Sequence, residues 1–428
     1  MINKKAVLTS ILAMTMVLSI GCTSINTPRE TGNNDNPKQV EEDNKEEEKI
    51  TESHNQEKEE PTDEIKLQLD EMTLDEKIGQ LVLVGMDGYD VNDNVKELIE
   101  SYHVGGIILY RKNVKDSNQL LSLINSLKSS NSSNKAPLFI SVDEEGGVVS
   151  RNPNEVKKLP TARSIGKTEN SSLAFEAGRL LGQTVKKFGY NMNFAPVLDV
   201  DSNPLNPVIG NRSFGDTIET VSTMGLEMFK GIKEEGVIPV IKHFPGHGDT
   251  SVDSHIGLPV VDHDLKRIMD FEIVPFKHAI DNGADVVMVS HILMSQIDPE
   301  YPASMSSIVI NDILRDKLKF EGVVITDDMT MGAIEKNYNI GDAAVRSIKA
   351  GTDIILVGHN YEKAVTVFNA IKTGVDTGII SIDRIDESVY KILKLKEKYG
   401  LEDLVIEDLN VEEINRDIGK LVEKVKQN

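Results

Sequence analysis

The chain has no tryptophan and a single cysteine, Cys22. One thiol closes no disulfide within a chain, so an oxidising exterior would be tolerated but not exploited. Cysteine catalysis is excluded as well, because Cys22 precedes every stretch patterned to fold. Positive charge is scarce: 47 Lys and Arg stand against 69 Asp and Glu, a net charge of -22. Binding to a phosphate backbone needs a basic face, so no nucleic-acid partner is expected. The apolar run in "MINKKAVLTSILAMTMVLSIGC" is too short for a comfortable membrane span.

That N-terminal run starts after Lys4 and Lys5 and ends at Gly21-Cys22, which reads as a signal peptide over residues 1–21. A small residue before the cysteine resembles a bacterial lipoprotein cleavage box. Thioether lipidation of Cys22 would then anchor the mature chain to a bacterial membrane, on the extracytoplasmic side. Residues 22–63 include "EEDNKEEEKITESHNQEKEEPTDE", with almost no large apolar residue and much like charge. Such a segment cannot bury enough surface to offset its ordering entropy. It is expected to be a lipid-anchored, disordered acidic tether.

From Ile65 onward short apolar runs alternate with amphipathic stretches. The runs lie near Leu81, Ile107, Phe139, Phe194, Val240, Met288, Val324 and Ile355. Nearly continuous apolar runs suit parallel strands buried on both faces. Helical patterns between them end in Gly189, Gly283 and Gly351, and a glycine just past the last turn is a stop signal. Eight strands, each followed by a helix or loop, predict a (β/α)8 TIM-type barrel over 64–400, with an open doubly wound sheet as the alternative. Residues 401–428 carry "VEEINRDIGKLVEKV" at helical spacing and are expected to form a helical tail on the barrel's outside.

Active sites of such barrels gather at the C-terminal ends of the strands. Polar residues do end the apolar runs: Asp143-Glu144-Glu145, Asp199 and Asp201, Lys242-His243, Ser290-His291, Asp327-Asp328 and His359. The segment "IKHFPGHGDTSVDSHIGLP" holds three of the chain's nine histidines and looks at first like a metal site. His243 and His247 would suit a helix, but Pro245, Gly246 and Gly248 forbid one, and the first run ends without histidine. No metal and no cofactor is expected. "GHGDT" lacks the lysine of a phosphate cradle. Ser290 and His291 are strand neighbours whose side chains point opposite ways, a poor nucleophile–base pair.

Carboxylate and imidazole chemistry remains. Asp327 ends a wholly apolar strand, where a carboxylate has low-dielectric walls below and solvent above, a natural nucleophile or partner for a developing cation. Asp327 or Asp328 could instead cap the next helix; Asp327 is the first residue past the strand, while Asp328 is the better placed for the cap. Asp253 stands two residues before His255, close enough to reach the ring nitrogen in a turn and fix its tautomer. The same aspartate could equally bind only backbone groups, leaving a surface histidine.

"KHFPGHGDT" followed by "DSH" resembles the signature of β-N-acetylglucosaminidases of glycoside hydrolase family 3, the NagZ-type enzymes. "VDEEGGVVSR", "APVLDV", "VIGNRSFG" and "TDDMTM" are similar to the family's other blocks, in the same order. The resemblance runs from about Leu69 to Lys398. It implies a (β/α)8 barrel and a retaining β-N-acetylhexosaminidase that removes terminal N-acetylglucosamine through a double displacement. Peptidoglycan fragments in cell-wall recycling are the implied substrate. Asp327 would be the nucleophile and His255 the acid/base, supported by Asp253. Asp143, Arg151, Arg212, Lys242 and His243 would bind the sugar. β-Glucosidase activity, phosphorolysis or sugar binding without turnover are the alternatives. Val148, Ser150 and Ser251 depart from common family residues at positions outside the catalytic set. The tail after Leu401 is too short for the further α/β domain of many Gram-positive relatives. Oligomeric state is not readable.

Overall fold

The computed structural model describes residues 63–428. The signal segment, Cys22 and all of the acidic tether but Asp63 therefore lie outside the described residues.

Eight strands match the eight apolar runs: β1 Val82–Gly85, β2 Gly106–Leu109, β3 Phe139–Val142, β4 Met192–Asn193, β5 Ile238–Phe244, β6 Val286–Val289, β7 Val323–Thr326 and β8 Ile355–Val357. Neighbours pair in parallel in the order β8-β1-β2-β3-β4-β5-β6-β7. A parallel bridge between Ile325 and Ile354 joins the last strand to the first, and Thr326 N–H donates to the Ile354 carbonyl at 3.0 Å. The sheet thus curls into a nearly closed (β/α)8 barrel rather than an open doubly wound sheet. Closure removes the unpaired edges that eight apolar strands would otherwise expose.

The fourth strand has two paired residues where the apolar run suggested more. Pro196 carries no N–H and interrupts the ladder, which resumes as one bridge between Val197 and Lys242. The helix Ser171–Phe188 stops as expected at Gly189, whose φ of 100° suits the left-handed cap that glycine adopts without strain. The pattern ending in Gly283 predicts one helix but forms two, Leu265–Asp270 and Val274–Asp281. Pro275 in the first turn of the second restricts the residue before it and removes a donor, so the first helix cannot continue through. Glu272 sits in that break, buried.

The tail forms the helix Val411–Gln427. Ile414, Ile418 and Leu421, one apolar stripe at helical spacing, are buried against Ser171–Phe188. Ion pairs Lys187–Glu413 and Lys424–Glu176 flank that stripe. No described helix is long and apolar enough to cross a membrane.

Candidate active site

Parallel strands place all their C-terminal ends on one rim, and there a cavity of about 280 Å³ opens. Asp143, Arg151, Arg212, Lys242, His243, His255 and Asp327 all line it. Asp253 stands one shell back, on the ring of His255.

Lys242 comes from within β5 and is nearly inaccessible. Its Nζ donates to Asp143 Oδ1 at 2.6 Å and lies 2.7 Å from Glu145 Oε1. Arg212 donates through Nε and Nη2 to the two oxygens of Glu145, both at 2.8 Å. Two cations and two anions therefore share one buried cluster on the cavity floor. Burial alone would raise the Glu145 carboxyl; Arg212 and Lys242 outweigh it and hold that group far below the usual carboxylate range. Burial lowers Lys242, but Asp143 and Glu145 leave its net shift upward. Both cations stay charged while presenting their remaining donors to the cavity.

His243 is fixed from both sides. Nδ1 lies 2.6 Å from Asp199 Oδ2, and Nε2 lies 3.2 Å from Arg212 Nη2. A guanidinium only donates, so Nε2 accepts and Nδ1 carries the proton given to Asp199. Asp199 is fully buried, and its other oxygen accepts the His247 N–H at 2.6 Å. His247 has both ring nitrogens engaged, by Thr250 Oγ1 at 2.7 Å and Ser254 Oγ at 3.2 Å. Burial, with His243 beside it, pushes His247 down to about 4, so it is neutral at physiological pH. These histidines have spent their nitrogens on the protein, which argues against a metal centre built on them.

Asp327 is the first residue past β7. Its Oδ1 accepts the Asp328 N–H at 2.8 Å, and Oδ2 has no hydrogen-bond partner among the described residues. Burial would raise this carboxyl, but the imidazoles of His243 and His291 and the Asp328 N–H leave it below the ordinary value. It is ionised at neutral pH. Asp328 is differently occupied: Oδ1 accepts from Thr330 N, Thr330 Oγ1 and Gly358 N at 2.9, 2.7 and 2.8 Å. It ties the turn after β7 to the end of β8, and it does not cap the helix Gly332–Glu335, whose N-cap is Met331. Buried His291 donates from Nε2 to the Asp328 carbonyl at 3.0 Å and so steadies the same turn.

The loop after β5 brings His255 to this rim. Both expected contacts of Asp253 exist: Oδ1 accepts the His255 backbone N–H at 2.9 Å and lies 2.9 Å from its Nδ1. The carboxylate is thus at once a turn-former and the ring's partner. Burial would raise Asp253, but those His255 contacts lower it. The Ser254 carbonyl accepts Ala333 N–H at 3.0 Å, and a Cβ at Gly332 would meet the His255 carbonyl at 2.5 Å. The absence of a side chain at Gly332 lets the loop lie directly on the segment that follows Asp327.

Residues whose part the sequence did not foretell include Glu145, Asp199 and Tyr110. Glu145 and Asp199 stood on the polar edge, but their partners Arg212 and His243 are chain-distant. Tyr110 is the first residue past β2, lines the cavity and stacks on His359 with centroids 4.7 Å apart. Its position at the end of "VGGIILY" was the available signal.

Comparisons with known proteins agree with the barrel fold. Residues 73–395 match the family described as glycosyl hydrolase family 3 N terminal domain. The solved structure of a glycoside hydrolase family 3 β-N-acetylglucosaminidase from Paenibacillus sp. strain FPU-7 is 40% identical, with a TM-score of 0.78, covering 83% of this chain and 69% of that one. Beta-hexosaminidase A of Pseudoalteromonas piscicida is 35% identical over 328 residues, which are 71% of this chain and 55% of that protein. The chain thus spans little more than half of that relative. A beta-hexosaminidase of Glaesserella parasuis serovar 5 (strain SH0165) is 34% identical over 293 residues, 68% of this chain and 84% of its own length.

Proposed function

The chain belongs to glycosyl hydrolase family 3, and from that premise we propose that its rim cavity hydrolyses terminal β-linked N-acetylglucosamine with retention of configuration. The observation that carries this reading is that Asp327 and His255, from distant parts of the chain, open into one cavity. Relatives named β-hexosaminidase, and a solved structure named β-N-acetylglucosaminidase, support the substrate class.

Asp143, Arg151, Arg212 and Lys242 hold the sugar hydroxyls, and His243, whose two ring nitrogens are engaged by Asp199 and Arg212, contributes to the sugar site by lining the cavity and orienting Arg212. Asp327, ionised, attacks the anomeric carbon as the glycosidic bond breaks, and His255 gives a proton from Nε2 to the departing oxygen. A glycosyl ester on Asp327 results. His255, now neutral and oriented by Asp253, takes a proton from water as that water attacks the same carbon and frees Asp327. Most glycosidases use a second carboxylic acid here, whereas an imidazole–carboxylate pair serves in this site.

Aryl β-N-acetylglucosaminide, aryl β-glucoside and muropeptide, each offered with and without inorganic phosphate, form the test. N-acetylglucosamine should be released at a rate independent of phosphate. Turnover of the glucoside alone, or a sugar 1-phosphate as product, overturns the reading. Peptidoglycan-derived N-acetylglucosaminyl-N-acetylmuramic acid fragments are the proposed natural substrate, and the proposed location is the outer side of a bacterial membrane, through lipid on Cys22. The lipoprotein-like box supports that location.

A further inference from the structure

Asp249, His263 and Glu272 bring three ligand-type atoms within 4.8 Å of one another. None of the three lines the rim cavity. Asp249 Oδ2 lies 2.5 Å from His263 Nε2. Glu272, in the break between the two helices, is 5% exposed. Its Oε1 accepts from Arg267 Nη2 at 2.9 Å, while its Oε2 is buried with no partner. Burial pushes this carboxyl up, and the Asp249 charge adds to the rise, although Arg267 and His263 oppose it. Arg267 offsets one of the two carboxylates and itself lies over the Phe271 ring. One buried acceptor thus remains unmatched beside a second carboxylate and an imidazole.

We propose that Asp249 Oδ2, His263 Nε2 and Glu272 Oε2 form a site for a divalent cation of the zinc class, water completing the shell. Two carboxylate oxygens and an imidazole nitrogen are the donor set that zinc accepts. Tetrahedral zinc ligands stand roughly 3.4 Å apart, given bond lengths of about 2.1 Å. Binding therefore opens the Asp249–His263 contact slightly and draws Glu272 in. The site's location gives it a consequence. Asp249 and His263 are the two roots of the loop that carries Asp253 and His255, and Glu272 lies beneath its start, where a Cβ at Gly246 would come 2.8 Å from Glu272 Cβ. The ion clasps both roots to the helix break. Cation binding stands apart from the glycosidase reading.

The full chain, stripped with chelator, is given zinc chloride, desalted and assayed for retained metal, with hydrogen exchange followed across residues 246–263. About one zinc per chain should remain, with exchange in the loop slowed and the melting temperature raised. His263→Ala and the nearly isosteric Glu272→Gln should each lower retained zinc at least tenfold. Folding of both is checked by circular dichroism, and Glu272→Gln decides if His263→Ala does not fold. No retained zinc in the unsubstituted chain, or undiminished zinc in the folded variants, overturns the proposal. None of these readouts uses a sugar, so an absence of glycosidase activity leaves this result interpretable.

Discussion

Asp253 Oδ1 stands 2.9 Å from both the backbone nitrogen and the Nδ1 of His255. One carboxylate oxygen therefore sets the turn and the tautomer together, leaving Nε2 as the atom available to the cavity. His255→Ala should slow substrates with poor leaving groups by about 10²–10⁴-fold, the usual contribution of general acid–base help. Activated aryl glycosides should suffer much less in the glycosylation step. Steady-state rates on a series of leaving groups decide it: equal losses across the series remove the proton-transfer role.

Asp327 and Asp328 are adjacent, yet one has a free oxygen and the other is consumed by the turn. A 2-fluoro sugar bearing a good leaving group should accumulate as an ester on Asp327, located by mass mapping of the digested protein. Asp327→Asn should show no label and no burst. Asp328→Asn keeps an acceptor oxygen for Thr330 and Gly358, so label should still form, with some loss of thermal stability. A label on Asp328 or any other residue refutes the assignment.

Glu144 introduces a pH term into stability. It is wholly buried; Oε2 accepts the N–H groups of Arg151 and Asn152 at 2.7 and 3.3 Å, and Oε1 has no partner. Burial pushes its carboxyl up from 4.5 to about 7, against the pull of those N–H groups. The folded pKa exceeds the unfolded one, so the folded chain binds more protons between them. Stability from this group is full below about 4.5 and is lost as pH rises to about 7. The span corresponds to roughly 3 kcal/mol. Glu144→Gln cannot ionise, so its stability relative to the unsubstituted chain should improve between pH 4.5 and 7.5. Denaturant unfolding at those two pH values measures it; a parallel change in both proteins contradicts the assignment.

Cys22 carries the membrane proposal. Cells grown with labelled palmitate should yield labelled protein in the membrane fraction. Cys22→Ser should abolish the label and move the chain to the soluble fraction. An unlabelled but membrane-bound protein with an intact N-terminus would instead mean an uncleaved anchor.

All eight strands were legible because strands buried on both faces leave unbroken apolar runs, whatever they later pair with. The polar rim was legible for a related reason: a strand's last residue and its direction are both local facts. The Asp253–His255 contact lies within one turn and was open to inspection, as one of two alternatives that proved compatible. The shortness of β4 and the helix break at Glu272 were written in Pro196 and Pro275, but the surrounding helical and apolar patterns masked them.

Residue order alone was enough for the number of barrel strands, the face on which chemistry collects and the residue types gathered there. It was silent on pairing between distant segments. That Lys242 would neutralise Asp143 and Glu145 and that Asp199 would hold His243 both followed from closing the barrel. Local pattern is governed by backbone periodicity and near-neighbour sterics, whereas these pairings depend on strand order and register, which bring a side chain within 3 Å of a partner roughly a hundred residues away.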